Sequence, residues 1–338
     1  MSLVRAQPEV RHQRGALEGR VLKLGWLGCH QEAEAPLQAL LRSGWKLDCL
    51  ITLRSDQLAR RSGAADFGQF AEAQGIPLFR VTNINDEESQ ALLRARQLDL
   101  LFVIGWGQIL RPEVLALARL GVVGSHASLL PHDRGSAPVN WCLMRGDHMT
   151  GCTLFWLDPA VDRGDIIDQE PIPITPYDTC ATIYEKVGQA NARMILGLLE
   201  ELSQGRLPRR PQGDCEDRLL PRRRPKDGLI DWNQSADRLY DFIRALTRPY
   251  PGAFSWLGDT RYSIWTSARL DDLQLLPPHR PGTVLGPCRS PEPRACGQIV
   301  ACGVGALLLL ELEEPSGGLL QGVELSERAW RGMVWYDG

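Results

Sequence analysis

Short apolar segments alternate with single helical segments from Val21 onwards, and this alternation restricts the chain to a small group of folds. Parallel strands cannot be joined by a hairpin and need a crossover, usually a helix. The pattern therefore predicts an α/β fold with a Rossmann-like, doubly wound parallel sheet. Strands are predicted at Val21–Gly28, Leu47–Leu53, Leu98–Gly107 and Gly121–Val123, and helices at Glu32–Ser43, Phe67–Gln74, Glu87–Arg96 and Pro112–Arg119. Ligands on such sheets bind at the carboxyl ends of the strands, so the residues after Val103 and after Val123 are the first candidates for a site.

The second half of the chain has a different composition. A Pro/Arg-rich stretch, Gly205–Pro225, is typical of a linker, and a helix is predicted over Ala236–Thr247. Short strands with many turns follow, at Ala253–Trp256, Tyr262–Ser267, Gly282–Leu285, Gln298–Ala301 and Ala306–Leu312. They predict a small antiparallel sheet or open, OB-like β-barrel. We therefore expect an N-terminal arm (1–20), an α/β catalytic domain (21–205), a linker (206–235) and a C-terminal domain with a helix and a barrel (236–338).

Composition excludes several classes of protein. The chain has 338 residues and a net charge of -3, whereas nucleic-acid-binding proteins usually carry a basic excess. Its longest apolar run, Val304–Leu312, is far too short for a membrane helix, and its first twenty residues contain no secretory signal. We therefore expect a cytoplasmic protein.

The nine cysteines show no metal-type spacing and are expected to be reduced and mostly buried, so no metal site is predicted. The sequence has neither a dinucleotide-binding nor a P-loop motif.

The most informative window runs from Gly121 to Ile167. His126 follows a predicted strand end by three residues and enters a segment held by prolines and a glycine, where a fixed loop can present an imidazole to a ligand. Asp162 lies in a second turn followed by apolar residues. Taken alone, a His near an Asp favours a structural hydrogen bond over a catalytic pair.

Four motifs in this window resemble the signature of the 10-formyltetrahydrofolate-dependent formyltransferases, in the same order and spacing. They are H-x-S-L-L-P (His126–Pro131), R-G-x-x-P (Arg134–Pro138), T-G-x-T (Thr150–Thr153) and D-x-G-x-I (Asp162–Ile166). The resemblance extends over about Val21 to Leu325 and implies a Rossmann-like transferase domain followed by a barrel-like C-terminal domain. It further implies that 10-formyltetrahydrofolate donates a formyl group to an amine.

The resemblance also implies roles for individual residues. His126 would take the proton of the attacking amine or stabilise the tetrahedral intermediate, and Asp162 would orient and stabilise the imidazole. Ser128 would brace the loop. The family has Asn two residues before this His, as an oxyanion donor, whereas this chain reads Gly124-Ser125-His126. Ser125, a backbone N–H near Gly124, Gln108, Asn140 or a polar group of the substrate could replace that amide, and Gly124 could equally serve a backbone geometry or close ligand approach.

Two segments correspond to the family's pterin pocket. They contain the expected donor-binding residues Ile104, Gly105, Trp106, Gly107, Gln108, Ile109 and Leu110, and Leu157, Asp158 and Val161. Trp106 could stack on the pterin ring or belong to the core, and His30 could reach the acceptor or be a solvated loop residue. For the acceptor, the expected residues are Arg134, Asn140, Trp141, Arg222, Arg223 and Arg224. The three consecutive arginines could hold a pyrophosphate or form a solvated basic run.

The acceptor class follows from two features. Between Asp271 and Gly338 there are nine acidic residues and five arginines, an unfavourable charge for tRNA. The segment Pro138–Trp141 resembles the P-x-N-W of sugar N-formyltransferases, such as the UDP-aminoarabinose formyltransferase domain. We therefore expect a nucleotide-linked amino sugar or a secondary-metabolite amine as substrate. The sequence is also compatible with a homodimer. The alternatives are a methionyl-tRNA formyltransferase, a formyltetrahydrofolate deformylase and a catalytically altered or inactive folate-binding homologue.

Overall fold

The computed structural model describes residues 21–215, 218–270 and 279–336. The predicted N-terminal arm lies outside the described residues. The described chain forms two compact units. The first contains residues 21–132, 151–170 and 187–215, and the second contains residues 133–150, 171–186, 218–270 and 279–336. The domain boundaries expected from composition stay predictions.

A seven-stranded sheet organises the first unit, in the order β3-β2-β1-β4-β5-β6-β7. Its strands are β1 (Leu24–Leu27), β2 (Leu47–Leu53), β3 (Leu78–Val81), β4 (Leu100–Val103), β5 (Gly121–His126), β6 (Met149–Trp156) and β7 (Ile166–Pro173). The pairs from β3 to β5 are parallel, which confirms the predicted Rossmann-like arrangement, and β6 runs antiparallel to β5. All four residues of β1 and of β4 are buried, as expected for strands covered on both faces.

Short helices connect the parallel strands. They are α1 (Glu34–Arg42), α2 (Ser55–Leu58), α3 (Gly68–Ala73), α4 (Glu87–Arg96) and α5 (Pro112–Leu115). Helix α4 begins where the side chain of Asp86 accepts a hydrogen bond from the N–H of Ser89, at 2.8 Å. It ends where Gln97 adopts a left-handed conformation, with φ of 52°. Leu93 buries one face of α4 in an apolar cluster shared with β1, β2 and β4.

One sequence-based expectation for this sheet is wrong, and the sheet has two strands that were not predicted. Strand β5 does not end at Val123 but continues to His126, because Gly124, Ser125 and His126 pair with β6. The sheet also continues beyond β5 through β6 and β7, so it is mixed rather than wholly parallel. The imidazole of His126 is consequently carried by the last residue of a central strand and not by the loop after it.

The second unit contains an antiparallel sheet, which confirms the predicted barrel-like C-terminal fold. Its path is β10-β11-β12-β9-β8-β14, with β13 paired to β12. The strands are β8 (Ala253–Leu257), β9 (Thr260–Arg269), β10 (Val284–Cys288), β11 (Gly297–Ala301), β12 (Ala306–Glu313), β13 (Leu319–Gln321) and β14 (Trp335–Tyr336). The remaining helices of the described chain are α6 (Pro138–Arg145), α7 (Cys180–Ser203), α8 (Ala236–Leu246) and α9 (Gly322–Ser326).

Seven of the nine cysteine side chains are buried, in agreement with the expectation that most of them are buried. Within the described ranges, no helix combines the length and the apolar character that crossing a membrane requires.

Candidate active site

The structure brings together the two residues that the sequence nominated for catalysis. Nδ1 of His126 lies 3.7 Å from Oδ2 of Asp162, and the two side chains are only 9% and 18% exposed. This separation is longer than a hydrogen bond but lies within ion-pair range. The carboxylate is therefore placed to stabilise the imidazole when the ring takes up a proton. A proton-accepting group beside a largely buried carboxylate at a strand end is an arrangement suited to general acid–base chemistry.

The turn that carries Asp162 has a constrained backbone. Asp162 adopts a left-handed conformation with φ of 53°, which is uncommon for a residue with a side chain and which Asp tolerates better than most. Two residues later, a β-carbon on Gly164 would lie 1.6 Å from the carbonyl oxygen of Trp156. Only glycine allows the chain to double back so closely over β6. The D-x-G spacing thus has a steric cause.

Gln212 holds this turn from outside. Its Nε2 donates to the carbonyl oxygens of Asp162 and Gly164, at 2.9 and 2.8 Å. The segment that contains Gln212 is also attached to β7, because the N–H of Ile166 donates to the carbonyl of Arg210 and the N–H of Arg210 donates to the carbonyl of Ile166. One side-chain amide therefore fixes the backbone on both sides of Arg163 and sets the direction of the Asp162 carboxylate.

The loop after His126 is held by an internal hydrogen-bond network. Ser128 Oγ donates to the carbonyl of His132 at 2.7 Å, in agreement with its expected bracing role. Thr153 Oγ1 donates to the carbonyl of Ser128 and accepts from the N–H of Leu130. Gln169 donates to both the carbonyl of Leu130 and Thr153 Oγ1. These bonds explain why the H-x-S-L-L-P and T-G-x-T motifs occur together.

Gly124 and His126 lie on the same face of β5, because successive residues of a strand point to opposite faces. A β-carbon on Gly124 would lie 2.4 Å from Cδ2 of Leu157 and 3.0 Å from its Cγ. The side chain of Leu157 therefore fills the space that a residue larger than glycine would need at position 124. Gly124 itself pairs with Val103 on one side and Phe155 on the other.

Three residues that could replace the missing amide make other contacts in the structure, and their role stays a prediction. Ser125 points to the opposite face, where its Oγ lies 3.4 Å from Cys152 Sγ. Burial raises the pKa of the Cys152 thiol to about 12, so that contact is between neutral groups. Gln108 donates to the carbonyl of Thr82 and accepts from the N–H of Ile84. Asn140 donates to the carbonyl of Ala245 within the second unit.

The segment from Ile104 to Leu110 continues directly from β4, the strand beside β5. Backbone hydrogen bonds attach it to β1: Ile104 N–H donates to Leu27 and Cys29 N–H donates to the Gly105 carbonyl. Ile109 is 67% exposed, whereas Leu110 is buried. Trp106 packs against the apolar clusters of the first unit, which favours its role as a core residue over stacking on a ligand.

The second expected donor-binding segment follows β6. Leu157 packs against the same apolar cluster as Trp106, so the two segments share one side of the sheet. Asp158 Oδ1 accepts from the N–H of Ala160 at 2.8 Å, which closes a short turn, and Val161 is 37% exposed. Each segment thus exposes an apolar side chain near the strand of His126, Ile109 in the first and Val161 in the second, and apolar side chains are typical of small-molecule sites.

His30, in contrast, has a structural contact. Its Nδ1 accepts a hydrogen bond from the N–H of Glu32 at 3.4 Å and thereby caps the 3-10 helix Gln31–Ala33.

The expected acceptor-binding residues all belong to the second unit. Several of them take part in its internal packing: Arg134 and Asn140 are buried, Trp141 Nε1 donates to the carbonyl of Pro221, and Arg223 donates to the carbonyl of Asp227. Burial also lowers the pKa of Arg223, whose guanidinium lies over the rings of Trp141 and Phe242. Arg222 and Arg224 have exposed side chains.

The described part of the chain contains no group of three or more His, Cys, Asp or Glu residues arranged to hold a metal ion. Two residues near the candidate site were missed by sequence reasoning. Gln212 lies in the stretch interpreted as a linker, and Arg61 lies in a loop between α2 and α3. Neither belongs to a motif, so their positions depend on the three-dimensional fold.

Comparison with known families gives two matches that together include most of the chain. A model described as "Formyl transferase" matches residues 27–199, and a model described as "Formyl transferase, C-terminal domain" matches residues 223–328.

Solved structures give similar folds at low sequence identity. HypX from Aquifex aeolicus, in complex with tetrahydrofolic acid, has a TM-score of 0.63 and 17% identity, covering 90% of this chain and 46% of its own. This chain thus spans about half the length of HypX. An N-formyltransferase from Helicobacter canadensis, in complex with folinic acid and dTDP-3-aminofucose, has a TM-score of 0.61 and 16% identity over 85% of this chain and 98% of its own. A sugar N-formyltransferase from a Shewanella species has a TM-score of 0.60 and 18% identity, over 74% and 99%.

Proposed function

This chain belongs to the formyl transferase family, and we propose that it is an N-formyltransferase with 10-formyltetrahydrofolate as donor and His126 and Asp162 as its acid–base pair. One observation carries the proposal: Nδ1 of His126 and Oδ2 of Asp162 lie 3.7 Å apart, at the end of β5 and in the turn after β6. The formyl transferase model matches residues 27–199, a range that contains both groups.

The chemistry follows from this arrangement. The acceptor amine attacks the formyl carbon, and a C–N bond forms while the carbonyl becomes an oxyanion. His126 accepts the amine proton through the ring nitrogen that faces away from Asp162, and the carboxylate stabilises the imidazolium. The bond from the formyl carbon to N10 then breaks, and the proton is delivered to N10. The products are tetrahydrofolate and a formamide, so the atoms and electrons of the reaction balance without an additional reactant.

The donor would be held by the segments 104–110 and 157–161. Both expose an apolar side chain, Ile109 in the first and Val161 in the second, and both follow strands that flank the strand of His126. Structures of similar fold contain tetrahydrofolic acid or folinic acid, which supports a reduced folate as the donor.

For the acceptor, we propose a nucleotide-linked amino sugar or a related small amine. A fold neighbour in complex with dTDP-3-aminofucose supports this class. Arg222 and Arg224 have exposed guanidinium groups that could contact a phosphate, whereas Asn140, Trp141 and Arg223 make contacts inside the second unit. An acceptor site that uses the arginines is therefore expected to depend on Arg222 and Arg224 more than on Arg223.

A mass-spectrometric screen tests the proposed function. The protein is incubated with 10-formyltetrahydrofolate and a panel of nucleotide-linked amino sugars and small amines, and each product is examined for a gain of one formyl group. A formylated amine that forms only with active protein supports the proposal. Release of formate without amine would instead identify a deformylase. Folate binding with no reaction would identify an inactive homologue and contradict the proposal.

Gly124→Asn is expected to slow formyl transfer, although it restores the residue found in the family. The new β-carbon would collide with Leu157, whose Cδ2 lies 2.4 Å from its ideal position. Overpacking of this kind typically costs about 1–3 kcal/mol of folding free energy.

The double variant Gly124→Asn/Leu157→Ala provides the missing space and should recover activity relative to Gly124→Asn. The wild type, the two single variants and the double variant form a double-mutant cycle. Each protein is measured by steady-state kinetics and thermal unfolding. If the double variant is no faster than Gly124→Asn, Leu157 is not the obstacle.

Gln212→Glu is expected to lower kcat about tenfold and to leave KM for the donor within about threefold. The change replaces the N–H donors to the Asp162 and Gly164 carbonyls with an acceptor oxygen, and leaving a buried hydrogen-bonding group without its partner typically costs about 1–3 kcal/mol. The matched control is Gln204→Glu, because the side chain of Gln204 is exposed and its amide donates to the side chain of Glu200 and not to a backbone carbonyl. An unchanged kcat for Gln212→Glu would contradict a positioning role.

A further inference from the structure

The order of the strands marks one crevice of the first unit as a ligand site. From β1 the chain passes through β2 to β3 on one side, and β4 then returns to the other side of β1. The order of the sheet therefore reverses between β1 and β4. In open α/β sheets, ligands bind outside the carboxyl ends of the strands at this point. Here the crevice is bordered by Cys29 after β1 and by Gly105 to Gly107 after β4.

Arg61 extends its guanidinium over this crevice. Its Nη1 lies 2.5 Å from the position that a β-carbon on Gly107 would take, and its Cζ lies at 3.7 Å. The positive charge also acts on Cys29: burial raises the pKa of that thiol to about 11, and Arg61 opposes the rise. The guanidinium is therefore close to both strand ends that border the crevice.

Arg61 also differs from other arginines of the same unit. Arg80 donates to the Asp66 carboxylate at 2.6 Å, and Arg119 donates to the Asp99 carboxylate at 2.5 Å. For Arg61, no carboxylate or carbonyl oxygen of the described residues accepts a side-chain hydrogen bond. The carboxylate of Glu32, which follows β1, does not pair with Arg61. It lies 3.9 Å from Nδ1 of His30.

A guanidinium in this position is suited to an anionic partner. Arg61 is half-buried, and a charged group with five donors loses free energy when it is withdrawn from water without acceptors. A ligand with an anionic oxygen group would supply those acceptors, because carboxylates and phosphates match the geometry of the guanidinium fork.

We propose that Arg61 is an anion-recognition residue for a substrate bound between the ends of β1 and β4. This inference rests on the proposed function, which supplies two substrates of the required chemistry. The donor carries carboxylates on its glutamyl tail, and a nucleotide-linked acceptor carries phosphates. Neighbouring strands are about 5 Å apart, and β5 lies next to β4, so one extended substrate can reach both His126 and Arg61.

Calorimetric titration of wild-type protein and Arg61→Gln tests the inference. The probes are 5-formyltetrahydrofolate, its pteroate analogue without glutamate, UDP and dTDP. We expect Arg61→Gln to bind one anionic probe class about tenfold more weakly at low salt, with a smaller difference at high salt, since ion-pair energies are screened. The matched control is Arg60→Gln, whose exposed side chain is the sequence neighbour. Circular dichroism confirms that both variants are folded.

The result also identifies the anion. Weaker binding of 5-formyltetrahydrofolate with unchanged binding of the pteroate analogue assigns Arg61 to the donor carboxylate. Weaker binding of a nucleoside diphosphate assigns it to the acceptor phosphate. Equal affinities of wild type and Arg61→Gln for every probe that the wild type binds overturn the inference and leave the proposed function standing. A wild-type protein that binds neither folate compound overturns the proposed function as well.

Discussion

Formyl transfer by the His126→Ala variant is expected to be slower than that of the wild type by about 10²- to 10⁴-fold, the usual contribution of a general acid–base residue. The imidazole is 9% exposed and its Nδ1 is 3.7 Å from the Asp162 carboxylate, and Ala removes the group that would accept the proton of the amine. The measurement is the rate of formylated product at saturating donor and acceptor.

Two observations separate lost chemistry from lost structure in this variant. Affinity for 5-formyltetrahydrofolate should stay within about threefold of the wild-type value, because the donor is expected to contact the segments 104–110 and 157–161. The unfolding temperature should also stay close to that of the wild type. A His126→Ala protein that folds, binds the donor and retains more than a tenth of the wild-type rate would exclude His126 as the base.

Asp162→Asn is expected to lower kcat by about 10²- to 10³-fold, again within the range of acid–base contributions. The substitution removes the charge that stabilises the imidazolium while keeping the size of the side chain. Asn also tolerates the left-handed conformation at this position, where φ is 53°. The hydrogen bonds from Gln212 involve backbone carbonyls and are therefore preserved.

The matched control for this variant is Asp165→Asn in the same turn. The Asp165 side chain is 37% exposed and lies 3.8 Å from Arg209, so its charge is largely solvated. We expect Asp165→Asn to keep its rate within about threefold, since exposed ion pairs contribute little free energy. Similar rates for Asp162→Asn and Asp165→Asn would show that the Asp162 carboxylate has no special role.

The sequence predicted the elements whose signals are local. Strand β2 and helix α4 have the predicted bounds, because a continuous apolar run and a capped helical segment are both defined by neighbouring residues. It also nominated His126 and Asp162, but through a resemblance between motifs and not through any property of the two residues alone.

The errors occur where distant parts of the chain meet. The residues Gly124, Ser125 and His126 have little intrinsic tendency to form a strand, and pairing with β6 overrides that preference. Strand β3 (Leu78–Val81) has only four residues and is largely half-buried, which leaves no periodic signal. The contact of Leu157 with Gly124, and the two hydrogen bonds from Gln212, depend on packing between segments and cannot be derived from spacing.

The position of 5-formyltetrahydrofolate in a crystal structure of its complex with this protein tests the proposed site most directly. We expect the pterin to contact the segments 104–110 and 157–161. We also expect N10 to lie within roughly 5 Å of the imidazole of His126, because reacting atoms approach to about 3–3.5 Å and the formyl carbon lies one bond away from N10. Folate bound elsewhere on the protein, or bound with N10 turned away from His126 and Asp162, would contradict the proposed mechanism.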